Sequence, residues 1–210
     1  VRSLGPEFAL LIVDDNSPDG TGDIADRLAA DDPDSISVLH RTSKDGIGPA
    51  YVAGFRAALA GGSPLIAQMD ADLSHDALDL PRLAAATDDA DLVIGSRYAP
   101  GGGTEGWSTW RRAMSAWGCR YAQTVLRVGI DDLTGGFKMW RRETLAALDF
   151  DHIAADGYGF QIETTIRALR AGARVVEIPI LFHERAAGQS KISRHIVAEA
   201  AVLVWRLRQS

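Results

Sequence analysis

The 210-residue sequence contains one cysteine, Cys119, which excludes an internal disulfide and fits a reducing compartment. It contains no run of about 18 apolar residues, so no segment reads as a membrane span. Acidic residues outnumber basic ones, 28 to 22, and the formal net charge of −6 leaves no general attraction to nucleic acid or anionic lipid. No His/Cys cluster has zinc spacing, and neither a G-x-S-x-G elbow nor a Walker A loop occurs. Gly101-Gly102-Gly103 does not carry a strand into a helix in the dinucleotide manner, which argues against a nicotinamide cofactor. The first residues lack a basic segment followed by an apolar one, so the expected location is cytoplasmic, with peripheral attachment to a membrane left open.

What is present is an ordinary globular composition, 46% hydrophobic and 24% charged, that suits one α/β domain. Short apolar runs end in polar turns at Phe8–Val13, Ile36–Leu39, Leu65–Met69 and Leu92–Gly95, and helical spacing fills the intervals. That alternation predicts a largely parallel sheet covered on both faces, with ligands bound beyond the carboxyl ends of its strands. Those ends carry Asp14 and Asp15, His40 and Arg41, Asp70 and Asp72, and Arg97. Asp70 and Asp72, at i and i+2 in extended backbone, share a side, and a pair of hard oxygen donors there suits Mg²⁺ or Mn²⁺ completed by a substrate phosphate. With Arg97, Arg111, Arg185 and Lys191 they form a candidate site for two phosphate-bearing groups, the arginines gripping one of them by bidentate hydrogen bonds.

The alternation then breaks. Over Trp107–Val128, residues Trp107, Trp110, Met114, Trp117, Tyr121 and Val125 recur on one helical face, flanked by Arg111, Arg112, Arg120 and Arg127. A Trp-rich, Arg-flanked amphipathic helix is what a bilayer interface selects, and it is the expected membrane contact. Pro179 between two later apolar runs points to an edge strand. A last helix over Ile192–Leu207 could pack on the body, lie on a membrane or meet a partner helix, and the sequence leaves all three open.

Seven segments, LLIVDDNSPDGTG, HRTSKDGIGPAYVAGF, MDADLSH, IGSRY, DLTGGFK, GYGFQIE and ERAAGQSK, resemble in this order the polyprenol-phosphate (dolichol-phosphate) mannosyltransferases of glycosyltransferase family 2. The resemblance runs from Leu10 to about Ile192. It implies a GT-A (Rossmann-like) fold, a GDP-mannose donor, a polyprenyl phosphate acceptor and an inverting transfer that releases GDP. Position by position, it implies that Asp14 and Asp15 contact the nucleotide, with Lys44 and Gly46 in the donor-side loop. Asp70 and Asp72 would hold the metal–diphosphate, and Ser74 stands where many relatives carry a further ligand, Gln. Arg97, Arg111 and Ser115 would grip the acceptor phosphate, Thr134 and Gln161 would line the sugar region, and Arg185 and Lys191 would close over the phosphates. Relatives in the same family move glucose or aminosugars, so another sugar is the alternative donor group. The family's first strand has no counterpart before Leu10, which predicts an N-terminally incomplete catalytic domain, with an inactive nucleotide-binding or membrane-interaction fragment as the further alternative. A phosphate acceptor is already anionic near neutral pH, so no carboxylate is expected to act as an essential base.

Overall fold

Period-2 patterning in the apolar runs produces two cores, one on each side of a single sheet. The computed structural model describes residues 1–153, 157–184 and 194–209. In chain order the elements are β1 (Leu10–Asp14), α1 (Thr21–Asp31), β2 (Ile36–His40), α2 (Ile47–Gly61), β3 (Leu65–Gln68), α3 (Leu80–Ala86), β4 (Leu92–Ser96) and β5 (Gly103–Thr104). They continue with α4 (Thr109–Leu126), β6 (Lys138–Arg141), α5 (Arg142–Ala146), α6 (Gly157–Arg170), β7 (Val175–Pro179), β8 (Leu181–Phe182) and α7 (Arg194–Gln209).

The central sheet has the order β3-β6-β4-β7. On β4, Leu92 and Ile94 face a cluster with Phe55, Trp140 and Phe160, while Val93 faces a second cluster with Leu80, Leu83, Phe137 and Met139. Successive side chains on a strand point to opposite faces, so this split follows from the sequence itself. The α/β class is as expected, with one difference in topology. β6 runs antiparallel to both β3 and β4, whereas β1–β2, β4–β7 and β5–β8 are parallel. β1 and β2 form a two-stranded sheet apart from the central one, and Leu10–Val13 are only half-buried. α2 packs against β1: a Cβ on Gly54 would lie 3.0 Å from a Val13 methyl.

α2 begins after Gly46, whose φ of 110° is a conformation that a side chain would strain. Pro49 is its third residue, within the turn whose N–H groups have no helical acceptor. The expected helix over Trp107–Val128 is shorter, Thr109–Leu126, because Ser108 caps it through the Arg111 N–H and Arg127 turns left-handed at its end. β7, ending at Pro179, is the edge strand that the proline predicted. No helix among the described residues is long and apolar enough to cross a membrane.

Candidate active site

The β3 end and the loop after it hold the two carboxylates in different ways. Asp70 Oδ1 accepts from the Tyr51 hydroxyl at 2.9 Å, and the Asp70 N–H donates to His75 Nδ1 at 3.1 Å. Burial lowers the His75 pKa, so the ring is neutral at pH 7 and, with Nδ1 accepting, carries its proton on Nε2. Asp72 Oδ1 accepts from both the N–H and the hydroxyl of Ser74. Ser74 is fully buried. Its hydroxyl, expected as a metal ligand, is turned into Asp72 and buttresses that carboxylate. Between Asp72 and Ser74, Leu73 holds a left-handed φ of 64° and projects outward, a strained conformation for a leucine.

Gly136 faces Asp70 from the loop before β6. A Cβ there would come 3.6 Å from Asp70 Oδ1 and 3.7 Å from the Gln161 amide nitrogen, so the glycine keeps a small polar space open between them. The Gln161 amide is oriented by a relay in which the Trp140 indole donates to Gln68 Oε1 at 3.0 Å and Gln68 Nε2 donates to Gln161 Oε1 at 2.9 Å. An indole N–H can only donate, which fixes both amides and presents the Gln161 NH₂ toward the space. Below it Lys138 is wholly buried, donating to the Gln161 carbonyl at 2.8 Å and to Thr165 Oγ1 at 2.9 Å. Burial pushes its pKa down to about 7.

Arg97, expected on the acceptor phosphate, lies just beyond the end of β4. Its guanidinium is turned inward, with Nε 2.7 Å and Nη2 2.6 Å from the oxygens of the fully buried Asp132 and Nη2 2.8 Å from Thr134 Oγ1. Burial works against both charges, yet Asp132 raises the Arg97 pKa and Arg97 lowers that of Asp132. Thr134, expected beside the sugar, belongs to this network, as does Cys119, whose thiol pKa burial pushes up to about 11. Arg111 lies nearer the surface. It donates to Glu184 Oε1 at 3.1 Å, and its guanidinium sits 4.0 Å above the Trp107 ring. Ser115, one turn further along α4, is half-buried.

Trp107 precedes α4 and is 7% exposed, so it leaves the expected interfacial stripe; Trp110 at 73% and Trp117 at 59% remain on the surface. Its ring has Arg97 at 5.5 Å as well as Arg111, and it meets Phe182 edge-on at 5.3 Å. Phe182 meets His75 at 5.2 Å, and His75 stacks on Phe137 at 4.9 Å. One packed aromatic series thus runs from the backbone of Asp70 to the guanidinium of Arg111. Tyr51, His75, Asp132 and Phe182 were not assigned site roles from the sequence. Asp132 lies in an Asp- and Gly-containing turn, Asp131-Asp132-Leu133-Thr134-Gly135-Gly136, that gave no sign which of its carboxylates would be buried against a cation.

At the end of β1, Asp14 is buried and accepts from the Ser17 N–H at 3.3 Å, with His40 Nδ1 at 3.4 Å; the Ser17 and His40 bonds lower its pKa. Asp15 pairs with Arg41. Lys44 is exposed in the loop before Gly46. Arg185 and Lys191 lie outside the described residues. Among the described residues no three His, Cys, Asp or Glu side chains gather in a metal-holding group. Asp70 and Asp72 nevertheless fit a hard divalent cation, since both offer oxygen and the space at Gly136 stays open beside Asp70.

Residues 1–149 match the family model described as glycosyl transferase family 2. The chain is 51% identical to an undecaprenyl-phosphate mannosyltransferase of Micrococcus luteus, over 98% of this chain and 84% of the relative. It is 47% identical to a polyprenol monophosphomannose synthase of Mycolicibacterium smegmatis, over 99% of this chain and 80% of the relative. Among solved structures, glucosyl-3-phosphoglycerate synthase of Mycobacterium tuberculosis with phosphoglyceric acid superposes with a TM-score of 0.64 at 16% identity, covering 95% of this chain and 68% of that one. The same enzyme with Mn²⁺, UDP and glucosyl-3-phosphoglycerate gives 0.60 at 18% identity, covering 95% and 66%.

Proposed function

The chain belongs to glycosyl transferase family 2 and is a glycosyltransferase, and from that premise we propose that it transfers mannose from GDP-mannose to the phosphate of a polyprenyl phosphate. The products are a β-mannosyl phosphoryl polyprenol and GDP. The reading is carried by the 51% identity, over nearly the whole chain, to a mannosyltransferase named for an undecaprenyl-phosphate acceptor.

Asp14 and Asp15 contact the nucleotide at the β1 end, with Lys44 and Gly46 beside it. Asp70 and Asp72 would hold a Mg²⁺ or Mn²⁺ ion on the donor diphosphate, where it would supply Lewis-acid neutralisation of the leaving GDP. Ser74 fixes one oxygen of Asp72, and Gln161 offers a donor across the space at Gly136. Arg111 and Ser115 receive the acceptor phosphate, with Arg185 and Lys191 as further phosphate-binding groups. Arg97 contributes through Asp132 and Thr134, stiffening the wall beneath Trp107. The acceptor oxygen attacks the anomeric carbon on the face opposite the diphosphate, which inverts that centre. Glu163, the acidic residue nearest Gln161 on α6, is buried and held by Arg167 Nε at 2.9 Å and Nη2 at 2.7 Å. It therefore serves as no base, and alignment with charge stabilisation supplies the rate. The reaction takes place at the cytoplasmic face of a membrane, which the exposed Trp110 and Trp117 of α4 contact.

The deciding experiment follows mannose from GDP-mannose to a short polyprenyl phosphate, with and without Mg²⁺ or Mn²⁺, and repeats it with UDP-glucose. Metal-dependent mannosyl product is expected. Asp72→Asn should abolish turnover and Glu163→Gln should retain most of it in a folded enzyme. Preferred transfer from UDP-glucose, or equal loss in both variants, would overturn the reading.

A further inference from the structure

Tyr51 sits in the second turn of α2 and is built into the site from three sides. Its hydroxyl donates to Asp70 Oδ1 at 2.9 Å, its ring stacks on Phe160 at 5.6 Å with 7° between planes, and Phe55 lies 5.9 Å away. An ionised carboxylate can only accept, so the hydroxyl is the donor. Asp70 is also anchored through its N–H on His75 Nδ1 at 3.1 Å, so its main chain and one carboxylate oxygen are both fixed. Oδ1 gives one of its lone pairs to Tyr51, and turning both oxygens onto a single ion would strain that bond. A carboxylate held in this way favours Oδ2 as its ligand oxygen. Mg²⁺ keeps near-octahedral geometry with one-oxygen carboxylate ligands, whereas Ca²⁺ takes six to eight oxygens and readily uses both oxygens of one carboxylate.

We propose that Tyr51 is a positioning residue that keeps Asp70 a one-oxygen ligand and so makes the donor site favour small octahedral cations over calcium. The proposal rests on the reading of Asp70 as a metal ligand. Tyr51 touches no reacting atom. Its effect is on which ion the site takes, and how tightly. Outer-layer hydrogen bonds to metal-ligating groups commonly change metal affinity about 10- to 100-fold, and this one also sets how many oxygens the ligand offers.

The full chain in the presence of GDP can be titrated with Mn²⁺, following the free ion by electron paramagnetic resonance, and then with Ca²⁺ as competitor. Wild type, Tyr51→Phe, Phe160→Leu and Asp70→Asn are compared, with melting temperature measured on each. Tyr51→Phe keeps the ring and its stacking; it should weaken Mn²⁺ binding about 10-fold and Ca²⁺ binding less, so that the Mn²⁺-to-Ca²⁺ ratio falls several-fold. Phe160→Leu keeps the hydroxyl while loosening the packing; it should lower the melting temperature and leave the ratio unchanged. An unchanged ratio in Tyr51→Phe, or an equal shift in Phe160→Leu, overturns the proposal while Asp70→Asn still loses the ion. Wild-type Mn²⁺ binding in Asp70→Asn overturns the metal-ligand reading itself, and the proposal with it.

Discussion

Single residues in this molecule are defined less by what they expose than by what they are paired with inside. Asp132 accepts from the Arg97 N–H, Nε and Nη2 while its own N–H donates to Glu177. Removing one partner of a buried pair costs about 3–5 kcal/mol, because the other charge is left uncompensated. Asp132→Asn is therefore expected to lose stability on that scale, measurable by urea denaturation at pH 7. The native carboxyl has its pKa below the unfolded value of 3.8, so its contribution is present above that value and is lost as pH falls through the native one. Lys138 gives a slope of the same sign at higher pH, because a buried charge is relieved there rather than a paired one gained. Its native pKa is about 7 against 10.5 unfolded, so between those values the unfolded chain holds more protons and stability rises with pH. Lys138→Met should abolish that rise: relative to wild type it gains stability at pH 6 and loses the advantage by pH 10. Neither pairing was legible beforehand. Arg97 and Asp132 are 35 positions apart, and Lys138 lies in a strand whose alternation gave no sign that an ammonium would be enclosed. Asp70 and Asp72, by contrast, were readable because an acidic pair directly follows an apolar run, and the structure places both in the loop just beyond β3.

At the level of elements, the sequence was most informative where a strand ended and least where a helix met the body. Strand ends carried Asp14, Asp15, Asp70, Asp72 and Arg97, and the structure keeps all of them at or just beyond the ends of β1, β3 and β4. The aromatic stripe was harder. Helical periodicity grouped Trp107 with Trp110 and Trp117, but the Ser108 cap starts the helix after Trp107 and frees that residue to turn inward. Periodicity cannot report which member of a stripe lies outside the helix. Two different outcomes follow for the same residue type. Trp110→Ser with Trp117→Ser should reduce binding to vesicles several-fold and leave the melting temperature within about 2 °C, as expected for surface substitutions. Trp107→Ala should lower stability by about 3–5 kcal/mol, as for a large core truncation.

The whole molecule is uneven in its cohesion. Both apolar clusters gather on the sheet β3-β6-β4-β7, while β1 and β2 stand apart with Leu10–Val13 half-buried. Regions with fewer buried apolar contacts open first. Hydrogen exchange on this chain should therefore show β1 and β2 amides exchanging well ahead of those in β4 and β6, and equal protection would contradict that division. The α/β class followed from alternation alone, whereas the antiparallel course of β6 did not, since nothing in Lys138–Arg141 encodes the direction of its neighbours. The five tryptophans sample this unevenness: Trp140 lies in the core, Trp110, Trp117 and Trp205 face outward, and Trp107 lies between two guanidinium groups. With the other four replaced by phenylalanine, Trp107 becomes an intrinsic optical gauge. An anion that draws Arg111 off its ring alters the indole emission, so the occupant of the arginine site announces itself as light, without a label.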